Sequence, residues 1–298
     1  MVVKSFKLRS GAEIPSIGLG TWALNGEEGY NAILYALKHG YKMLDAAYSY
    51  FNQDYVGKAI KESGVKREDI FIVDKLANSW HTAAEECLDI TMKNLDCGYL
   101  DLWLMHWPSP LNHHGNDPKT PTLPDGSVDF EKNWTYVDTW KKMIEIQKNK
   151  PEIIKHIGVS NFSIEELENI INETGVIPEV NEVELHPSNN QQELYKYCQS
   201  KGILLVGYSP LGSSESTFFT NPELKEIAEK RGISIAQILL SWGIAQGWPV
   251  IPRSQNPARL SANLDLVDLT EDEIAKVTAI GNAHKRRFVL ASWHTFSD

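Results

Sequence analysis

Five polar residues stand where apolar strands should end. Asp45 lies in "GYKMLDAAYSY" (40–50), with Tyr48 and Tyr50 directly after it. Lys75 closes "IFIVDKL" (70–76), and His106 closes "LDLWLMHW" (100–107). An unpaired carboxylate inside an apolar strand costs several kcal/mol or more, so Asp45 calls for a cation, and Lys75 is the candidate. A lysine beside a tyrosine favours phenolate and should lower the phenol pKa from about 10, each unit being worth about 1.4 kcal/mol. His106 is placed to hydrogen-bond a substrate oxygen or relay a proton. Together these groups suit protonation of a carbonyl oxygen while hydride arrives at the carbonyl carbon, and a positioned acid contributes about 10² to 10⁴ in rate. Spacing alone leaves the choice between Tyr48 and Tyr50 open.

Such groups converge only if strands bring them together. Eight short apolar runs recur, at 16–22, 42–47, 70–76, 100–107, 154–161, 179–185, 203–210 and 249–254. Between them lie stretches with apolar residues at three- and four-residue intervals, such as "EEGYNAILYALKHG" and "SIAQILLSWGIAQG". In "SIEELENIINETG", Ser163 and Glu166 form a capping box and Gly175 a stop. Strands alternating with helices imply a parallel sheet, and eight of them in one chain predict an α/β fold of the closed (β/α)8 TIM-barrel kind, a single domain over 1–298. "FKLRSGAEIP" reads as an N-terminal β-hairpin capping the bottom. The Pro-, Gly- and Asp-rich segment 108–133 is a long loop after strand 4, at the face where barrels place their sites.

Composition removes other classes. The 298 residues are 42% hydrophobic and 23% charged, with a formal net charge of −10. That charge argues against nucleic acid or an anionic membrane surface as partner. No apolar run approaches the roughly 18 residues of a membrane span, and the N-terminus lacks a signal peptide's apolar core. Cys87, Cys97 and Cys198 are scattered and odd in number, which fits small apolar residues in a reducing, cytoplasmic setting. No metal-ligand spacing appears, and His113 and His114 in the long loop read as solvated, in a loop that could touch substrate. The oligomeric state stays open, a monomer being compatible with all of this.

The opening stretch resembles the signature of the aldo-keto reductase family: Gly40, Tyr41, Lys42, Asp45, Ala46, Ala47, Gln53 and Gly57 fall at its positions. "LDLWLMHWP", "IGVSNFS", "VNEVELHP", "GYSPLGS" and "IPRSQNPARLSANLDL" resemble its later landmarks in order, over roughly residues 5 to 290. The resemblance implies a catalytic set of Asp45, Tyr50, Lys75 and His106, with Tyr50 the proton donor and Tyr48 a wall residue. It implies NADPH/NADP+ laid across the barrel top; "GLGTW" carries only the first two glycines of a dinucleotide fingerprint. Ser160, Asn161 and Glu182 would hold the carboxamide, Tyr208 would stack on the nicotinamide, and Thr21 and Trp22 would line that region. Ser209, Leu211 and Ser213 would lie beside the pyrophosphate. Arg253, Ser254 and Arg259 would meet the adenosine 2′-phosphate and Asn263 the adenine, guanidinium forks suiting a phosphate dianion. Trp22, Ala77, Trp80 and Trp107 would wall the substrate pocket. The nearest resemblance is to fungal members, including glycerol dehydrogenases and sugar or uronate reductases, so a small polyol, sugar aldehyde or uronate is the expected substrate. The alternative is a regulatory NADPH-binding protein on the same barrel, which would need no such tetrad.

Three residues depart from the family pattern. Glu182 stands where a glutamine is usual; its carboxylate can still accept from an amide, and its charge would favour oxidised nicotinamide. Ala77 replaces a common tryptophan, opening the pocket unless Trp80, Trp107 or Trp134 compensates. Asp74 replaces a hydroxyl residue, and strand alternation points it away from Lys75 toward an outer-layer partner. Arg286 and Arg287 read as a solvated pair that could meet an acidic substrate.

Overall fold

The computed structural model describes residues 2, 4–213 and 215–296. A two-stranded antiparallel hairpin, β1 (Ser5–Lys7) and β2 (Glu13–Pro15), precedes eight parallel strands. These are β3 (Leu19–Gly20), β4 (Met43–Asp45), β5 (Phe71–Leu76), β6 (Leu100–Met105), β7 (Ile154–Ser160), β8 (Val180–Glu184), β9 (Leu204–Tyr208) and β10 (Val250–Ile251), each paired with its neighbour in sequence. A parallel bridge from Ile17 to Val250, with Gly18 N–H donating to Val250 O at 3.0 Å, closes the ends into a barrel. All eight expected strands are present. The first and last are shorter than their apolar runs, because at the seam pairing continues as single bonds rather than a ladder.

Helices follow each strand: α1 (Gly26–Lys38), α2 (Gln53–Ser63), α3 (Ala84–Leu95), α4 (Tyr136–Asn149), α5 (Ile164–Thr174) and α6 (Gln192–Lys201). Two helices, α7 (Pro222–Arg231) and α8 (Ile235–Gln246), separate β9 from β10. The chain continues through α9 (Pro257–Leu264) and α10 (Glu271–Ala283). The α5 boundaries are those its capping chemistry predicts: Ser163 accepts from Glu166 N–H, Glu166 reaches back, and Gly175 ends the helix at φ 71°. None of the described helices is long and apolar enough to cross a membrane. The three cysteines are free and buried.

Strand alternation separates two apolar layers. Leu44, Ile72, Trp103, Val183 and Leu205 face the helices, whereas Met43, Phe71, Val73, Leu102, Leu104, Val180, Val206 and Ile251 fill the barrel interior, plugged from below by Leu8 and Ile14 of the hairpin. Space inside is tight enough that a Cβ at Gly158 would lie 2.7 Å from Val180 O. Continuing the inward phase by two residues places Asp45, Lys75, His106, Ser160, Glu182 and Tyr208 on the interior face at the strands' C-terminal ends. The period of two, applied strand by strand, therefore assembles the site.

Candidate active site

Lys75 is fully buried, and its Nζ makes three polar contacts: a short one to Asp45 Oδ1, one to Ala46 O at 3.0 Å and one to Glu182 Oε1 at 3.3 Å. Asp45 therefore has the expected cation, but that cation has a second carboxylate as well. Burial pushes the ammonium toward losing its proton, and Asp45, Glu182 and Tyr50 outweigh it, holding Lys75 protonated well above the usual lysine range. The two acids respond in the opposite sense. Burial raises Asp45 while Lys75 pulls it back, and burial plus the Asp45 charge pushes Glu182 up to about 8.

Tyr50 ends a 3₁₀ turn, Tyr48–Tyr50, and Phe51 follows at φ 54°. The turn is anchored from below by Asn52, whose Nδ2 donates to Thr21 O at 2.8 Å and Leu24 O at 3.0 Å. Lys75 Nζ lies 5.3 Å from the Tyr50 ring centroid, and the His106 ring stands edge-on to it at 5.7 Å. The expected lowering of the phenol pKa does not hold. Burial raises it first, Lys75 lowers it, and Asp45 and Glu182 raise it again, leaving Tyr50 protonated above the ordinary tyrosine range. His106 is held neutral, well below the usual histidine range, by burial and then by Lys75. Its Nδ1 lies 3.1 Å from Ser49 Oγ, a partner that strand-end reasoning missed although it sits between the two tyrosines.

The neighbouring strand ends form a connected polar floor. Ser160 Oγ donates to Glu182 O at 2.8 Å, Asn161 Nδ2 donates to His106 O at 3.0 Å, and Tyr208 OH donates to Asn161 Oδ1 at 2.6 Å. Thr21 donates to Asp45 O through both N–H and Oγ1, and the adjacent Trp22 is 58% exposed. Ser209 adopts φ 50°, Gly212 N–H returns to its carbonyl, half-buried Leu211 lies between them, and Ser213 Oγ accepts from Glu215 N–H. Arg253 and Arg259 are exposed on either side of the α9 N-terminus, and Ser254 Oγ accepts from the N–H of its cap, Asn256. Asn263, in contrast, is buried on α9, near Leu260, whose carbonyl accepts from Tyr41 OH at 3.2 Å.

The aromatic walls partly differ from expectation. Ala77 is 3% exposed; Trp80 packs against Tyr48 at 5.3 Å and against His113 at 4.4 Å. His113 is thus half-buried, with Nδ1 2.8 Å from Ser79 O, and only His114 is exposed. Trp134 donates to Thr139 Oγ1 within α4. Trp107 packs against Trp293, His294 and Phe296 of the C-terminal tail, a wall that was not anticipated despite the aromatic run "SWHTF". Buried Glu184 anchors this tail by accepting from Phe288 N–H at 2.7 Å and Val289 N–H at 2.8 Å. Arg286 is exposed, as expected, in an ion pair with likewise exposed Glu215, whereas Arg287 is half-buried with its guanidinium 3.6 Å from the Phe296 centroid. Among the described residues no group of three or more His, Cys, Asp or Glu could hold a metal.

Asp74 points outward, as alternation requires. It accepts from Gln53 Nε2 at 2.9 Å and from Lys75 N–H at 2.8 Å, and Gln53 also bonds Thr91 and Asn94. Burial pushes the Asp74 carboxyl up to about 7, from an ordinary value near 3.8. A carboxyl raised on folding binds its proton more tightly in the native state, so its cost is absent below about pH 4 and complete above about pH 7. Asp74→Asn should therefore gain on the wild type as pH rises, by an amount of order 1 to 4 kcal/mol. Thermal melts of both proteins from about pH 5 to 9 check this, and parallel Tm curves would rule it out.

An eight-stranded parallel barrel presenting tyrosine, lysine, histidine and carboxylate at its strand ends defines a carbonyl oxidoreductase. The chain belongs to the Aldo/keto reductase family, whose model matches residues 16–282. It is 44% identical over 285 residues to a D-galacturonate reductase of Hypocrea jecorina, covering 95% of this chain and 92% of that protein. It is 40% identical over 302 residues to a glycerol 2-dehydrogenase (NADP(+)) of Saccharomyces cerevisiae, covering 98% and 96% respectively. Among solved structures it is similar to the aldose reductase of Schistosoma japonicum, with a TM-score of 0.90 at 33% identity, covering 98% of this chain and 96% of that one.

Proposed function

We propose that this protein reduces a small polyhydroxylated aldehyde, a sugar, glyceraldehyde or uronate, to an alcohol with NADPH, reversibly, with Tyr50 as the proton donor. The observation that carries the reading is the buried Lys75 contacting Asp45 and lying beside the Tyr50 ring, with neutral His106 edge-on to that ring. The donor set suits the cofactor. Exposed Arg253 and Arg259 with Ser254 offer cations and a hydroxyl to a 2′-phosphate, and Ser160, Asn161 and Tyr208 form a linked amide- and ring-binding surface. Thr21, Trp22, Ser209, Leu211 and Ser213 belong to the same binding face in this reading. Asn263, buried on α9, belongs to the adenine end of that face in the same reading.

The reduced nicotinamide, when bound, supplies a hydride for the carbonyl carbon. The chain's own part is acid–base. His106, neutral and with Nδ1 toward Ser49, orients the carbonyl oxygen through its other ring nitrogen. Tyr50 OH gives its proton to that oxygen as negative charge develops there, and Lys75 stabilises the resulting phenolate. Trp22, Tyr48, Trp80 and Trp107 exclude water in this reading.

The substrate range is supported by relatives named as a D-galacturonate reductase, a glycerol 2-dehydrogenase and a D/L-glyceraldehyde reductase. The test is NADPH consumption with a panel of aldoses, a uronate, glyceraldehyde and simple aldehydes. Turnover is expected with at least one hydroxylated aldehyde and more slowly with NADH. Tight NADPH binding with no turnover on any carbonyl would overturn the reading in favour of a regulatory one.

A further inference from the structure

The second carboxylate on Lys75 is unlike a cofactor ligand in where it points. Glu182 is 2% exposed, its Oε1 lies 3.3 Å from Lys75 Nζ, and Asp45 Oδ1 contacts the same Nζ, so the two buried carboxyls share one ammonium. The Glu182 backbone carbonyl accepts from Asn161 N–H at 2.9 Å and Ser160 Oγ at 2.8 Å, which holds the end of β8 against β7. The titratable groups facing it are Asp45 from β4, Lys75 from β5, Tyr50 from the 3₁₀ turn and Tyr208 from β9. His106, at the end of β6, is influenced by the same lysine but is neutral.

We propose that Glu182 is a positioning residue of the proton-donor site, sharing Lys75 with Asp45 and switching the charge around that lysine according to whether a proton sits between the two carboxyls. This rests on the reductase reading above and deepens it. With the proton in place, Asp45, Lys75 and Glu182 sum to zero charge, as an Asp–Lys pair with a neutral amide at 182 would. Without it they sum to −1, and the phenolate that Tyr50 must become during reduction faces an added carboxylate on the far side of its stabilising ammonium. Two carboxyls in one buried site do not both ionise freely, and burial with the Asp45 charge already pushes Glu182 up to about 8. Reduction is therefore strongest while the pair keeps its proton and weakens as that proton is lost. A glutamine at 182 would have no such dependence.

Two measurements test this. The first is kcat for NADPH-driven reduction against pH in wild type, Glu182→Gln and Glu182→Asp. Wild type is expected to fall on the order of tenfold through an ionisation near pH 8. Glu182→Gln should lack this limb whatever its absolute rate, and Glu182→Asp should retain it. The second needs no cofactor: infrared spectra of the protein should show a carboxylic-acid carbonyl band at about pH 6.5 that disappears by about pH 9.5. That band should persist in Asp74→Asn, which removes the other buried acid titrating nearby, and should be missing once Glu182→Gln is added to that variant. A limb that survives in Glu182→Gln, or infrared spectra identical between it and wild type, would overturn the proposal. Absence of turnover in wild type would instead strike the reductase reading, and the infrared result would still decide where the proton sits.

Discussion

Tyr50→Phe should lower kcat for carbonyl reduction by about 10² to 10⁴, with NADPH affinity changed less than about threefold. Phenylalanine keeps the ring that stands edge-on to His106 at 5.7 Å and beneath Lys75 Nζ, so the turn and its packing persist. Only the hydroxyl is removed, and a group used in the transition state shows itself as lost kcat rather than raised KM. The pH profile sharpens the assignment. Burial keeps the Tyr50 phenol protonated above the ordinary tyrosine range, so its own ionisation cannot limit reduction near neutrality. In the oxidative direction the same fact predicts low activity at neutral pH and a rise with alkalinity, since the base form is scarce. Tyr48→Phe is the control, because Tyr48 packs on Trp80 and Phe51 and should cost little chemistry. Steady-state kinetics with fluorescence titration of NADPH separates the outcomes, and equal losses in the two variants would refute Tyr50 as donor.

The interior layer explains how much of this was legible. A period of two is enough to tell that Lys75 and Asp74 face opposite ways, and both do, Lys75 into the barrel and Asp74 onto Gln53, which in turn bonds Thr91. Capping residues such as Ser163 and Gly175 placed α5 to the residue because each satisfies a local backbone need. What escaped was long-range summation. The direction of the Tyr50 shift is a balance of burial against one ammonium and two carboxylates, and a motif names the groups without their net effect. Likewise Glu182 could be placed at a strand end, but that its carboxylate meets Lys75 at 3.3 Å is a contact between β8 and β5 that the motif does not carry. The tail wall on Trp107 rests on Glu184 accepting two backbone N–H groups more than a hundred residues later, which no local pattern reveals.

The largest stability effect should come from Lys75→Met, because it leaves two acids facing each other in a buried site with no cation. Lys75 is the common partner of Asp45 and Glu182, and in both it lowers a pKa that burial raises. Removing it lets both folded-state values climb further. A carboxyl raised on folding destabilises only where the unfolded chain has already given up its proton, so the penalty is small below about pH 4 and grows as pH rises. Breaking a buried pair by deleting one partner typically costs about 3 to 5 kcal/mol, which for a chain of this size is a Tm drop of roughly 10 °C. The expected result is thus a gap between wild type and Lys75→Met that is narrow near pH 5 and widens to its full size above pH 8. Activity should be lost at every pH, since the phenolate has lost its ammonium. The discriminating variant is Asp45→Asn/Lys75→Met/Glu182→Gln, which takes away all three charges while preserving volume. Replacing a buried ionic cluster with neutral groups of similar shape is often neutral or stabilising, so this triple variant should recover the high-pH Tm without recovering turnover. A Tm gap independent of pH, or a triple variant no more stable than Lys75→Met at high pH, would mean the lysine contributes by packing rather than by holding two carboxylates. Recovery of stability without catalysis would separate what the charges cost the fold from what they do for the proton.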